Sequence, residues 1–434
     1  MSKNKKRKGV TSQPKKSLKK MLYLSNDEYL AFVHTAKKIL RLLGLSEDIL
    51  EQFTKNQKQD LFKTIFVPPR VRVEKNSHVP SGVLKPIRKY VYDTLKDTYV
   101  GDKSFDISYY DMLTMGIAFF MRLENCKELP PFTTNYDLVV KMRDAIRASK
   151  YQESYTEHIN EIVSYCCVYC SKLNFRQYTF TIGWEAYNGG LEMGCCVRII
   201  SHEADKIYFT YQKKTRSAFR IKLCIPNSKE PLLAKIPYSA IEPGCKIDIN
   251  LKGYVQPHAL QRMKMRVDTK ERYASEMATF YAIMRGEIIT FNNHKYIVCR
   301  YQEVDANNKV VEPIIGYFPF TVQGDCLFIL TFLPLTSPSC PEGAKLTKLL
   351  NITKEDAAYF GMDKLSFFKT TDFDDVPRLR DALKEAGIWH LTKLKENNEE
   401  MFQVKKSAPL KSFFEKSIQT DEEDYEEMSG ELPT

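Results

Sequence analysis

Near residue 177 the spacing of apolar residues switches from a helical period to strict alternation, and after about residue 340 it returns to a helical one. A chain that switches in this way can be neither all-α nor all-β. The expectation is an α+β fold in which helical and strand-rich stretches follow one another. From Tyr23 to about Asn174 the pattern is helical. Ser25-Asn26-Asp27-Glu28 reads as a capping box that opens an amphipathic run, with Tyr29, Phe32, Val33, Ala36, Ile39, Leu40 and Leu43 on one side and Gly44 at its close. Ser46-Glu47-Asp48 starts a shorter helix, and Val67-Pro68-Pro69-Arg70 breaks the pattern. Further helices are expected at about 84–98, 106–124, 134–150 and 153–173. From 177, Gln177–Ile182, Cys196–Ile200, Lys206–Tyr211 and Phe219–Ile225 read as strands, with Asn188-Gly189-Gly190 as a turn.

Beyond residue 253 the order reads helix (257–267), helix (269–285), then four strands, Glu287–Phe291, Lys295–Val304, Pro313–Phe320 and Cys326–Leu333. Asn292-Asn293 and Asp305-Ala306-Asn307-Asn308 are the hairpin turns. Helices follow at about 342–350, 353–369 and 376–386. The expected organisation is a disordered basic arm (1–22), a helical domain (23–175), an antiparallel β region (176–252), a compact helix-plus-antiparallel-sheet domain (253–340), a helical segment (341–400), and a linker with an acidic tail (401–434).

Charge sets the ends apart. Residues 1–20 carry nine Lys or Arg and no acid, and residues 421–431 carry seven acids and no base. Neither end has enough apolar residues to offset its ordering entropy, so both read as disordered. A basic arm attracts polyphosphate backbones, and it also serves simply to keep a chain in solution. The longest apolar runs, Met112–Met121 and Cys326–Leu335, fall short of the ~20 residues a spanning helix needs, so no membrane is expected. Eleven cysteines, mostly within apolar stretches, suit a reducing compartment, and the expected location is cytoplasmic. Cys167 and Cys170 form a C-x-x-C without a second ligand pair, so buried thiols are expected rather than a metal site. No Walker-type loop, dinucleotide fingerprint, H-E-x-x-H or G-x-S-x-G is present, and no cofactor is expected. Asp372, Asp374 and Asp375 precede Val376-Pro377 and read as a helix cap.

Two groups of residues carry chemistry. Lys213, Lys214, Arg216 and Arg220 cluster in the β region, as a phosphate-facing patch or as a solvated hairpin tip. The segment Pro257-His258-Ala259-Leu260-Gln261-Arg262-Met263-Lys264-Met265-Arg266-Val267 is the other. On a helix, Ala259, Leu260, Met263 and Val267 share an apolar face. His258, Arg262 and Arg266 form a stripe that drifts only about 80°. Pro257 suits the first turn, and the positive end of the helix dipole beside His258 favours neutral imidazole. A neutral imidazole can move a proton while two guanidiniums hold a phosphate. The same spacing also describes an ordinary exposed basic stripe.

The matching residues His258, Ala259, Leu260, Arg262, Met263 and Arg266 give the stretch from about 254 to 335 a resemblance. It resembles a small bacterial domain family opening on H-A-L-x-R-M-x-x-R, itself similar to the RelE/ParE toxin fold. Met284-Arg285-Gly286-Glu287 resembles that family's entry to its first strand, and Leu327–Phe332 its last, with Thr331 at a recurrent hydroxyl position. Val267 stands where the family usually has glycine. The resemblance implies a metal-independent ribonuclease-like domain acting on RNA or the ribosome, with His258 as general acid/base, Arg262 and Arg266 gripping phosphate, and Thr331 in the site. The rival reading is a non-catalytic interaction or scaffold protein whose charged tails recruit partners.

Overall fold

The computed structural model describes residues 26–61, 65–125, 135–149, 151–187, 192–245, 249–268, 272–304 and 309–394. Both charged tails, Ser25 of the capping box, the Asn188-Gly189-Gly190 turn and the Asp305–Asn308 turn lie outside the described residues. The fold is α+β, and among the described residues no helix is long and apolar enough to cross a membrane.

The chain divides into two compact units. The first comprises residues 1–71, 91–159 and 182–197. Helix α1 (Asn26–Leu42) buries Phe32, Ala36, Ile39 and Leu40. It ends where Gly44 takes a left-handed φ of 71° and Leu45 N–H returns to the Leu40 carbonyl. The helices α2 (Lys55–Asp60), α3 (Ser81–Asp97), α4 (Tyr109–Asp111), α5 (Ile117–Asn125), α6 (Tyr136–Ala148) and α7 (Tyr151–Cys170) follow. A π-helical segment at Met112–Gly116 joins α4 to α5. The Val67-Pro68-Pro69-Arg70 stretch, expected to be a break, lies in strand β1 (Ile65–Val73). With β2 (Arg176–Tyr187) and β3 (Glu192–Glu203) it makes a sheet in the order β1-β3-β2. Proline cannot donate to a ladder, and β1 accommodates two because it is an edge strand.

The second unit comprises 72–90, 160–181 and 198–434. Its strands are β4 (Lys206–Tyr211), β5 (Lys214–Arg220), β6 (Lys222–Leu223), β7 (Leu232–Leu233), β8 (Lys235–Pro237), β9 (Asn250–Val255), β10 (Ile288–Phe291), β11 (His294–Arg300), β12 (Glu303–Val304), β13 (Val310–Val311), β14 (Ile314–Gln323), β15 (Cys326–Ile329) and β16 (Leu333–Pro334). Its further helices are α8 (Tyr238–Ile241), α9 (Pro257–Arg266), α10 (Arg272–Arg285), α11 (Pro341–Leu350), α12 (Lys354–Tyr359), α13 (Phe367–Thr370) and α14 (Pro377–Ala386). One sheet runs β10-β11-β14-β15-β9-β5-β4, with β8 beside β9 and β16 beside β14. The segments read as separate, 176–252 and 253–340, are therefore joined, because β9 pairs with β5 on one side and β15 on the other. Strand spacing alone could not show this, since the β9–β15 pair is parallel and nonlocal.

The main core of this unit lies on one face of that sheet. Ala259, Met263 and Val267 of the α9 region and Ala278, Phe280 and Ile283 of α10 pack on Val255, Phe318, Leu327 and Ile329. Leu346, Leu383, Ile388 and Leu391 extend it toward the C-terminal helices. On the opposite face Phe209, Ala218, Tyr254 and Phe328 make a second, smaller core. The Phe209 and Phe328 rings stack with centroids 4.0 Å apart, although their strands are three positions apart in the sheet. Flat strands at that separation would stand about 14 Å apart. The sheet must therefore curl tightly, and Gln323 of β14 donates across the curl to the Thr210 carbonyl of β4 at 2.6 Å.

The expected aspartate cap differs in detail. Val376 is the N-cap of α14, Asp372 accepts from the Asp374 N–H, and Asp374 pairs with Arg380 at 2.7 Å. Cys166, Cys167 and Cys170 lie buried on α7. Burial pushes the Cys166 and Cys167 thiols well above their ordinary pKa. A charged reagent should therefore modify these thiols in urea and leave them untouched in the native chain. Mass spectrometry after brief alkylation checks this, and rapid native labelling at Cys167 contradicts it.

Candidate nucleic-acid interface

The β4–β5 hairpin is held in register from Lys206↔Phe219 to Tyr211↔Lys214. Gln212 and Lys213 form its two-residue turn, with φ of 50° and 61°. Two left-handed residues match the twist of a tight hairpin, but asparagine and glycine are the residues that adopt them at least cost. Lys213 and Lys214 are exposed at this tip. Arg216 is half-buried behind it, 5.3 Å over the Tyr211 ring, with Nη1 donating to Gln256 Oε1 at 3.5 Å.

Arg220 does not belong to an exposed patch. It is only 3% exposed, and its Nη1 donates to the Ala234 and Gly253 carbonyls at 2.7 Å each. Its guanidinium lies 5.3 Å from the Tyr254 ring. Desolvation lowers its pKa from the ordinary guanidinium value, with nearby acids and phenols opposing. Arg220 thus ties β5 to the β9 backbone, where the sequence reading had it facing a phosphate.

Helix α9 forms as the sequence reading expects. Pro257 sits in the first turn, Ala259 and Met263 are buried, and Leu260 is half-buried against the core. The polar stripe divides. His258 is exposed and Arg262 half-exposed. Arg266 is ion-paired with Asp363, the two side chains being 17% and 13% exposed. The Arg266 carbonyl also accepts from Leu365 N–H at 2.7 Å. Thr331 is not in a strand. β15 ends at Ile329, and Leu330 N–H turns to the Pro319 carbonyl, so the expected strand to Leu333 breaks into β15 and β16. The structure therefore leaves His258 and Arg262 open on α9, and commits Arg266 to a carboxylate.

The cations near this surface fall into two kinds. Lys252 pairs with Asp325, Lys295 with Glu242, Arg285 with Glu312 and Arg300 with Glu287. Among the described residues, Lys213, Lys214, Arg216 and Arg262 make no ion pair. Sequence reasoning missed Tyr208. It is 67% exposed on β4, and Lys206 Nζ lies 5.2 Å from its ring centroid. The alternation of Lys206–Tyr211 held the signal, because Tyr208 shares the parity of Lys206 rather than that of buried Phe209.

No protein-family model, curated protein or solved structure matches the chain.

Proposed function

We propose that the second unit binds nucleic acid through its β4–β5 hairpin and the exposed face of α9, and that it does so without cutting the strand. The observation that supports this most directly is the set of cations left without a carboxylate partner, Lys213, Lys214, Arg216 and Arg262, where neighbouring lysines and arginines are paired. Unpaired cations keep their full charge for phosphates and release counterions on binding. Lys213 adds to the argument. It is held in a left-handed turn position that glycine would fill with less strain. The resemblance of the α9 region to an RNA-directed family points the same way. Cleavage has less support, since Arg266 would have to leave Asp363 to hold a scissile phosphate.

The test is titration of a labelled RNA with the full chain and with Lys213→Glu/Lys214→Glu. The double variant should bind at least tenfold more weakly at low salt. Its plot of log affinity against log salt should be shallower by about 2, one for each lost phosphate contact. An unchanged affinity and slope would remove the hairpin from the interface. His258→Ala should bind as the parent does.

A further inference from the structure

Resting on that reading, we propose that the hairpin selects single-stranded over double-stranded nucleic acid, with Tyr208 as a platform on which an unpaired base stacks. Phosphate-binding cations alone do not distinguish a single strand from a duplex. An exposed aromatic ring beside them does, because only an unpaired base can offer its π face to it.

Three features of the hairpin make Tyr208 suitable. Its ring is 67% exposed, far more than aromatic neighbours such as Phe209 and Phe219, which are buried. The cross-strand residue opposite it is Ser217, whose small side chain leaves the ring uncrowded. Lys206, two residues earlier on the same face of β4, places its ammonium 5.2 Å from the ring centroid. A cation on one side of the ring orients the phenol and adds a charge for the phosphate flanking a stacked base. The tip lysines, Lys213 and Lys214, lie within about 15 Å along the strand, a few nucleotides of extended chain.

The sheet register adds a second argument. Lys206 and Tyr208 share their face with Phe219, which pairs directly with Val255. Val255 belongs to the core on which α9 packs. Tyr208 therefore lies on the face of the sheet that carries α9 and its open His258 and Arg262. Arg216 and Lys214 belong to the opposite face by the same register, Arg216 standing across from Phe209. A strand stacked on Tyr208 would run between the hairpin tip and α9.

The experiment uses the full chain and three fluorescent probes, a 12-mer of uridine, a 12-mer of thymidine and a 12-base-pair RNA duplex. Tyr208→Ala and Tyr208→Thr should each weaken binding to both single strands about tenfold, within the 5–150-fold that loss of one base–aromatic stack brings. Threonine keeps the strand propensity, so agreement between the two variants excludes a fraying hairpin. Tyr208→Trp should bind single strands at least as well as the parent. The duplex should bind all four proteins alike. Parental single-strand binding by Tyr208→Ala, alongside weakened binding by Lys213→Glu/Lys214→Glu, overturns the stacking proposal and leaves the nucleic-acid reading standing. Equal losses on duplex and single strands overturn it as well. If the lysine variant also binds normally, both readings fall.

Discussion

Phe328→Ala should destabilise the second unit by about 3–5 kcal/mol, the range for removing a buried phenylalanine. Phe328 is 3% exposed and is the centre of the smaller core, stacked on Phe209 at 4.0 Å and on Tyr254 at 5.6 Å. Its loss would leave a cavity lined by strands already bent tightly around it. Neighbours fixed by a curled backbone have little freedom to collapse into the gap, which places the cost toward the upper end. The two tryptophans lie in different units, Trp184 in the first and Trp389 in the second. In a Trp184→Phe background, the fluorescence of Trp389 during urea unfolding reports on the second unit. Phe328→Leu should recover part of the loss by refilling the volume. A cost below about 1 kcal/mol for the alanine variant would mean that the stack contributes little and that hydrogen bonds alone set the curl.

Much of this architecture was legible because its signals are local. The period of α1, the Pro257 start of α9 and the Asn292-Asn293 turn each depend on a few adjacent residues, and each forms where the pattern places it. Gly286 is another case. Its φ of 62° closes α10, and a side chain there would press on Ile236 and Ala240. What the sequence does not display is pairing between distant strands. Neither the β9–β15 parallel pair nor the contact of Gln323 with Thr210 leaves any periodic trace, and together they merge two expected domains into one sheet. The prolines of β1 misled for a related reason. They exclude a central strand but permit an edge, and only the strand order shows which applies.

The candidate site was legible to the same limited degree. Position on a helix or hairpin could be read for His258, Arg262, Lys213 and Lys214, because exposure follows from local period. The fates of Arg220 and Arg266 depend on partners 14 to 97 residues away, the Ala234 and Gly253 carbonyls and the Asp363 carboxylate. A long cation reads identically in sequence whether its guanidinium meets water or a buried acceptor.

Arg266→Ala provides the sharpest separation between those two fates. Were Arg266 an exposed phosphate ligand, truncation would change stability by no more than about 0.5 kcal/mol and would weaken RNA binding. Paired with Asp363, it should instead cost about 3–5 kcal/mol, because the carboxylate is left largely desolvated and without its counter-charge. RNA affinity of the folded fraction should then match the parent. Asp363→Ala should destabilise similarly for the converse reason. Arg266→Met with Asp363→Leu removes both charges together and should recover most of the stability, since apolar groups of similar size need no partner. The comparison requires urea unfolding of the four proteins, with affinity measured at a temperature where all are folded. A stable Arg266→Ala chain that has lost RNA binding would return the arginine to the nucleic-acid interface. In that case the Asp363 pair would be a resting contact that RNA displaces, and the phosphate grip of the α9 stripe would extend across two turns of the helix.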